Sequence, residues 1–252
     1  MSESRVPHGA PEDDPDRDGA PLAPHRSRLA HIGLIVLLIG LTGGFTGLGI
    51  WQVQRLFWKL DLIAQVDARI HAAPVPAPAT ASPNDAYRRV RVEGEFLNDR
   101  ETLVQAVTEL GGGFWVLTPL VMADGRTVLV NRGFVPPERR EPASRSAGQI
   151  GGTTQVIGLL RLSEPGGGFL RRNDPAGDRW YSRDVAAIAQ ARQLVDAAPY
   201  FVDAEATPGP EGAPVGGLTV VRFTNNHLVY ALTWFGLALM SLAAALWLRR
   251  RR

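Results

Sequence analysis

Two long uncharged apolar stretches lie near opposite ends of this chain, and nearly all of its polar sequence lies between or before them. From Leu29 to Gln54 there is no Asp, Glu, Lys or Arg, and the centre of the stretch reads IGLIVLLIGLTGGFTGLGI. From Phe223 to Leu248 there is again none, and Arg249–Arg252 follow at once. A helix crossing a bilayer needs about 20 mostly apolar residues, and each stretch supplies them. The expected architecture is a membrane α-helical hairpin of two transmembrane helices. It carries an extracytoplasmic α+β domain between them, mostly antiparallel sheet or a partial barrel. A soluble metabolic enzyme is disfavoured by this plan alone.

Flanking charge sets the orientation. Arg26 and Arg28 precede the first stretch, and four arginines close the chain after the second. Positive charge stays on the cytoplasmic side, so both termini are expected in the cytoplasm and the middle domain outside it, in a plasma (inner) membrane. Arg55 and Lys59 argue weakly the other way for the first stretch. Its apolar run is longer than that of a signal peptide, and no A-x-A-like site follows directly, so an uncleaved anchor is expected. The formal net charge of +2 is small, and nucleic acid is not an expected partner. The chain has no cysteine, which excludes disulfides, thiolate metal sites, iron–sulfur clusters and cysteine nucleophiles.

Composition and periodicity divide the chain further. Residues 1–28 are rich in Pro, Gly, Asp and Arg and read as a disordered cytoplasmic head. Residues 29–52 form transmembrane helix 1. Residues 53–71 continue as an amphipathic helix, with Leu56, Leu60, Ile63 and Ile70 at helical spacing. Trp51 and Trp58 would lie near the headgroups, with Arg55 and Lys59 as anchors. Residues 72–86 are a Pro- and Ala-rich extended linker. Residues 87–226 form the extracytoplasmic domain, 227–248 transmembrane helix 2, and 249–252 a basic cytoplasmic tail. Within the domain, RRVRVEGEF, ETLVQAVTE, FWVLTPLVM, TVLVNRGFV, TTQVIGLLRLS, PYFVDAE and LTVVRF read as strands. Asp124-Gly125 marks a hairpin, and Arg183–Leu194 reads as a helix. The triple glycines at 111–113 and 166–168 lack the Lys-Ser/Thr of a phosphate loop and read as flexible turns.

Three features carry possible chemistry. Gly40, Gly44 and Gly47, with Gly43, form overlapping small-xxx-small motifs that let helices approach closely, within the hairpin or against a partner helix. The alternative is that glycine is simply frequent in membrane helices. His227 enters the second span in FTNNHLVYALTWF, followed by Tyr230 and Trp234. A neutral imidazole there can ligate haem iron, with aromatic rings packed on the porphyrin. An interfacial polar cap suits the same residues. Arg171, Arg172, Asn173 and Asp174, with Trp180, Tyr181, Arg183 and Asp184, form a polar-aromatic patch. It fits a carboxylate-binding site or a salt-bridged surface loop, and composition favours the loop. No GxSxG, HExxH or Walker pattern is present, which argues against a membrane-bound hydrolase.

Taken together, LGIWQVQRLFWK, RVRVEGEF, VLVNRGFVP, EPGGGFLRRNDPAGDRWYSRD and VGGLTVVRFTNNHLVYALTWFGLAL occur between two spans in an order that resembles the Surfeit locus protein 1 (Surf/Shy) family. The resemblance runs from about residue 30 to the end. It implies a non-enzymatic assembly factor for haem-copper cytochrome c oxidase, acting at or near haem a insertion into the catalytic subunit. It implies that subunit as a partner, haem a synthase as a further one, and haem a as a transiently held group. The histidine of NNHLxYAxTWF, His227 here, is the implied ligand, with Tyr230 and Trp234 beside it. Gly40, Gly44, Gly47, Trp51 and Arg55 are then candidates for contact with a partner or for helix packing. The competing expectation is a haem-free membrane scaffold that stabilises the nascent oxidase core subunit through protein contacts.

Overall fold

A computed structural model describes residues 24–221 and 223–251, with side chains from Arg28 onward. The expected head lies almost wholly outside the described residues. The chain divides into two units: one built from the N-terminal helix up to Trp58 together with the C-terminal residues from Asn225, the other from Lys59 to Thr224.

Helix α1 runs unbroken from Pro24 to His71. At 1.5 Å per residue it is about 72 Å long, more than twice the thickness of a hydrocarbon core. The span and the amphipathic segment are thus one helix. It stops before Pro74, which forces the residue ahead of it out of helical geometry. Helix α3 runs from His227 to Arg250. Both helices are long and apolar enough to cross a membrane. Their outward faces expose Ile32, Val36, Leu37 and Ile39 on α1, and Leu232, Leu239 and Met240 on α3. Lipid accommodates such a surface and water does not.

Within this unit the two helices meet antiparallel along a seven-residue repeat. Ala231, Ala238 and Ala245 are buried at 2%, 6% and 4% exposure. On α1 the facing positions include His31, Phe45, Gly49 and Gln52. Phe45 stacks on Trp234 with ring centroids 5.6 Å apart. A side chain on Gly49 would meet the Phe235 ring at 2.6 Å. Gly40, Gly43, Gly44 and Gly47 have nothing within 4 Å of where a Cβ would stand. The small residue of α1 that packs within the hairpin is therefore Gly49, and the expected glycine motifs lie off that contact.

The second unit is a sheet with a partial barrel. Its strands are β1 (Val75–Pro76), β2 (Arg89–Phe96), β3 (Thr102–Thr108), β4 (Gly111–Met122), β5 (Thr127–Val135), β6 (Thr153–Leu162), β7 (Gly167–Gly168), β8 (Arg171–Arg172) and β9 (Ala197–Ala204). The main sheet runs β1-β2-β6-β9-β5-β4-β3, and β2 also pairs with β4. That extra pairing turns the sheet back on itself. Gly94 lies opposite Thr154 of β6 and Met122 of β4, and any side chain there would strike the Val121 carbonyl. All five strands of the ring contribute to one core: Val90, Val92, Leu120, Val128, Val130, Leu160, Tyr200 and Val202. Alternate residues face outward. Leu117, Leu129 and Phe201 pack there with Trp180 and with Val185 and Ile188 of helix α2 (Val185–Ala191). This explains why β5 is buried on both faces.

Several expectations change in detail. Helix α2 is shorter than 183–194: Asp184 caps its start by accepting from the Ala187 N–H at 3.1 Å, and Gln193 beyond it adopts positive φ. The stretch 72–86 is extended but packed. β1 lies parallel to β2, and the Pro78 carbonyl accepts from the buried Tyr200 hydroxyl at 2.6 Å. LTVVRF is not a strand among its described residues. Gly111–Gly113 begin β4 and Gly167–Gly168 form β7, so these glycines are strand residues rather than free turns.

The packing separates two glycines only a few residues apart. Gly49→Leu should destabilise the helical unit by about 1–3 kcal/mol through overpacking. Gly44→Leu should leave it within about 0.5 kcal/mol. Thermal unfolding of both variants in the same detergent checks this, and equal losses would contradict the register.

Candidate functional site

His227 is the first residue of α3, and the helix start fixes its backbone. Its imidazole is half-buried, and Nδ1 lies 2.7 Å from Oε1 of Gln52 on α1. A carbonyl-type oxygen can only accept, so Nδ1 donates, and in the neutral ring Nε2 then carries the lone pair. Gln52 is itself buried at 8% exposure. At the opposite end of the seam, His31 Nε2 donates to the Leu248 carbonyl at 3.1 Å. The seam is thus closed at each end by a histidine, and the two bonds engage different ring nitrogens.

The expected neighbours of His227 part company. Trp234 lies two turns on along the same seam and is engaged with Phe45. Tyr230 is 54% exposed and lies off the seam. Trp51 is half exposed, and the Arg55 guanidinium stands 4.3 Å over the Trp58 ring. No three His, Asp or Glu side chains converge as a metal site would need among the described residues.

The second concentration of charge lies in the sheet domain. Asn131, Arg161 and Asp203 stand on adjacent strands β5, β6 and β9, on the outward face beside the α2 cluster. Asp203 is buried at 3% exposure. It accepts from Asn131 at 2.7 Å, Arg161 at 2.8 Å, Thr219 at 3.0 Å and Arg183 at 3.2 Å. Glu164 takes the other side of Arg183 at 2.6 and 3.0 Å. Burial by itself would lower the affinity of Arg183 for its proton. Asp203 and Glu164 more than reverse that, and its pKa lies above the ordinary arginine value. Asn131, Arg161, Arg183, Asp203 and Thr219 line a cavity of about 410 Å³ together with Trp115.

Most of the sequence-identified patch at 171–184 is consumed by internal bonds. Arg179 pairs with Asp174, Arg183 with Asp203 and Glu164, and Arg171 donates to Gln105 at 3.0 Å. Asn173 accepts from the Tyr181 and Ser182 N–H groups, and Trp180 donates to Asp178 at 2.8 Å. This is the self-paired loop. Sequence reasoning missed Gln52, Arg161 and Asp203. Gln52 had a usable signal, as a polar amide inside an uncharged span.

Two apolar helices of membrane-crossing length, with a partial-barrel domain encoded between them, define a helical-hairpin protein with a histidine at the start of its second apolar helix. The chain belongs to the SURF1 family, whose sequence profile matches residues 39–239. It is 40% identical to Surfeit locus protein 1 of Homo sapiens over 235 residues, covering 86% of this chain and 76% of the human protein. The Mus musculus Surfeit locus protein 1 is 40% identical over 209 residues, 76% of this chain and 67% of that protein. A SURF1-like protein of Monosiga brevicollis is 38% identical over 237 residues, 87% and 88% of the two chains.

The Asp203 network makes a stability prediction. Removing one partner from a buried ionic cluster leaves charge uncompensated and costs about 3–5 kcal/mol. Asp203→Ala should lower the urea midpoint of the full chain accordingly, followed by circular dichroism. A shift below about 0.5 kcal/mol would mean that the cluster contributes nothing to the fold.

Proposed function

We propose that this protein is a membrane-anchored assembly factor for a haem-copper cytochrome c oxidase, acting at or near haem a insertion into the catalytic subunit. Family membership from the first apolar helix into the second supports the assembly role. The catalytic subunit is then the principal partner and haem a synthase a further one. Both termini lie in the cytoplasm and the sheet domain outside it, as the terminal arginines favour. The protein binds and presents rather than catalyses.

One observation supports haem a as the cargo: the His227 ring has Nδ1 bonded to Gln52 and Nε2 left as a lone-pair donor. That is the form of imidazole that binds haem iron. A porphyrin brings its own four nitrogens, so one protein nitrogen suffices. Tyr230, exposed beside His227, is free to flank the macrocycle, whereas Trp234 serves the seam. The long apolar tail of haem a suits a site at the start of a membrane helix.

The haem-free scaffold is favoured by a different observation. The Gln52–His227 bond also closes the helix pair, as His31–Leu248 does at the far end. In that reading the glycine face of α1, where no described residue lies within 4 Å of a Cβ built on Gly40, Gly43, Gly44 or Gly47, would receive a helix of the nascent oxidase.

The readings separate in cells. Replacing the chromosomal copy with His227→Ala should leave the protein inserted at wild-type abundance while the oxidase of those membranes loses most of its haem a. Reduced-minus-oxidised spectra of the membranes measure this. Full haem a content in the variant would favour the scaffold.

A further inference from the structure

We infer that Gln52 is the positioning residue of the haem site: it selects the tautomer and fixes the orientation of His227, so that Nε2 is the ligating nitrogen. The inference rests on the reading of His227 as the ligand given above.

Gln52 lies inside the charge-free stretch of α1, where a primary amide is costly unless its polar atoms find partners. It is 8% exposed and faces the seam. Its Oε1 sits 2.7 Å from Nδ1 of His227, 175 residues away in sequence. An amide oxygen has no proton to give, so the bond forms only when Nδ1 carries the ring proton. The lone pair then resides on Nε2. Ligating histidines commonly donate their other N–H to an oxygen acceptor, which locks the ring and strengthens it as a donor. Loss of such a partner weakens binding by about 10- to 100-fold.

The other clasp supplies an internal comparison. His31 donates through Nε2 to the Leu248 carbonyl, which leaves its lone pair on Nδ1, next to its own backbone. Two histidines close one helix pair, and only the one facing an amide on α1 retains Nε2. A bond that merely joined two helices would be served by either nitrogen.

The test uses the full chain in detergent, with ¹⁵N-labelled histidine, and haemin as the probe. His227→Ala identifies the resonances. In wild type, His227 should be protonated at Nδ1. In Gln52→Leu that preference should be lost, and haemin should bind about tenfold more weakly or worse. Gln52→Glu keeps the shape and offers a stronger acceptor, so it should retain haemin while lowering the reduction potential of the bound iron. This second variant answers the question if Gln52→Leu does not fold, as judged by circular dichroism. A wild-type ring protonated at Nε2, or haemin affinity unchanged in Gln52→Leu beside a wild type that binds, would overturn the role of Gln52 alone. An unchanged potential in Gln52→Glu would do the same. A wild type that takes up no haemin would overturn the ligand reading itself, and with it any role of Gln52 toward iron.

Discussion

Two apolar helices in lipid gain nothing by hiding their surfaces from one another, because the tails around them are as apolar as leucine. Only close fit and hydrogen bonds can hold them. Helices α1 and α3 show both devices. Alanines at seven-residue spacing and Gly49 let the backbones approach, Phe45 and Trp234 fill the middle, and a histidine bond closes each end. The clasp at His227 has a second consequence. By occupying Nδ1 it leaves a nitrogen donor at the start of an apolar helix of membrane-crossing length. Structure and proposed chemistry meet in one hydrogen bond, so substitution of Gln52 separates positioning of the ring from ligation by it.

The sheet domain solves a different problem. Its strands bury both faces where α2 and Trp180 cover the outer side, so the charges of Arg161, Arg183, Glu164 and Asp203 have to be satisfied by each other. Asp203 takes four donors. The network is a structural device that ties β5, β6 and β9 to the loop before α2. It also tethers Thr219, in the segment leading out of the domain.

Much of this was legible in the sequence. Alternation in RVRVEGEF and turn chemistry at Asp124-Gly125 follow from local rules, and the strands are there. Barrel closure was only half legible, because it depends on Gly94 meeting a second strand that no local pattern reveals. The seam's register is open in the sequence for a physical reason: in a span where nearly every residue is apolar, hydrophobic periodicity has no contrast. Overlapping glycine motifs drew attention to Gly40 and Gly44, and small-residue spacing to Ser241 and Ala245, while the heptad that joins Ala245 to Ala231 and Ala238 was not legible. Asp203 was hidden in a strand-like run, PYFVDAE, where sequence does not say which face is covered. His227 stood out because it and its polar neighbours interrupt an apolar run. Gln52 interrupts the other run in the same way.

The central claim is that His227 is a ligand and His31 merely a clasp. The most direct measurement is the visible spectrum of full-length protein purified from cells that make haem a, comparing wild type, His31→Ala and His227→Ala. The account requires bound haem in wild type and in His31→Ala, and its loss in a folded His227→Ala. Haem retained in His227→Ala, or lost equally from both variants, would contradict it.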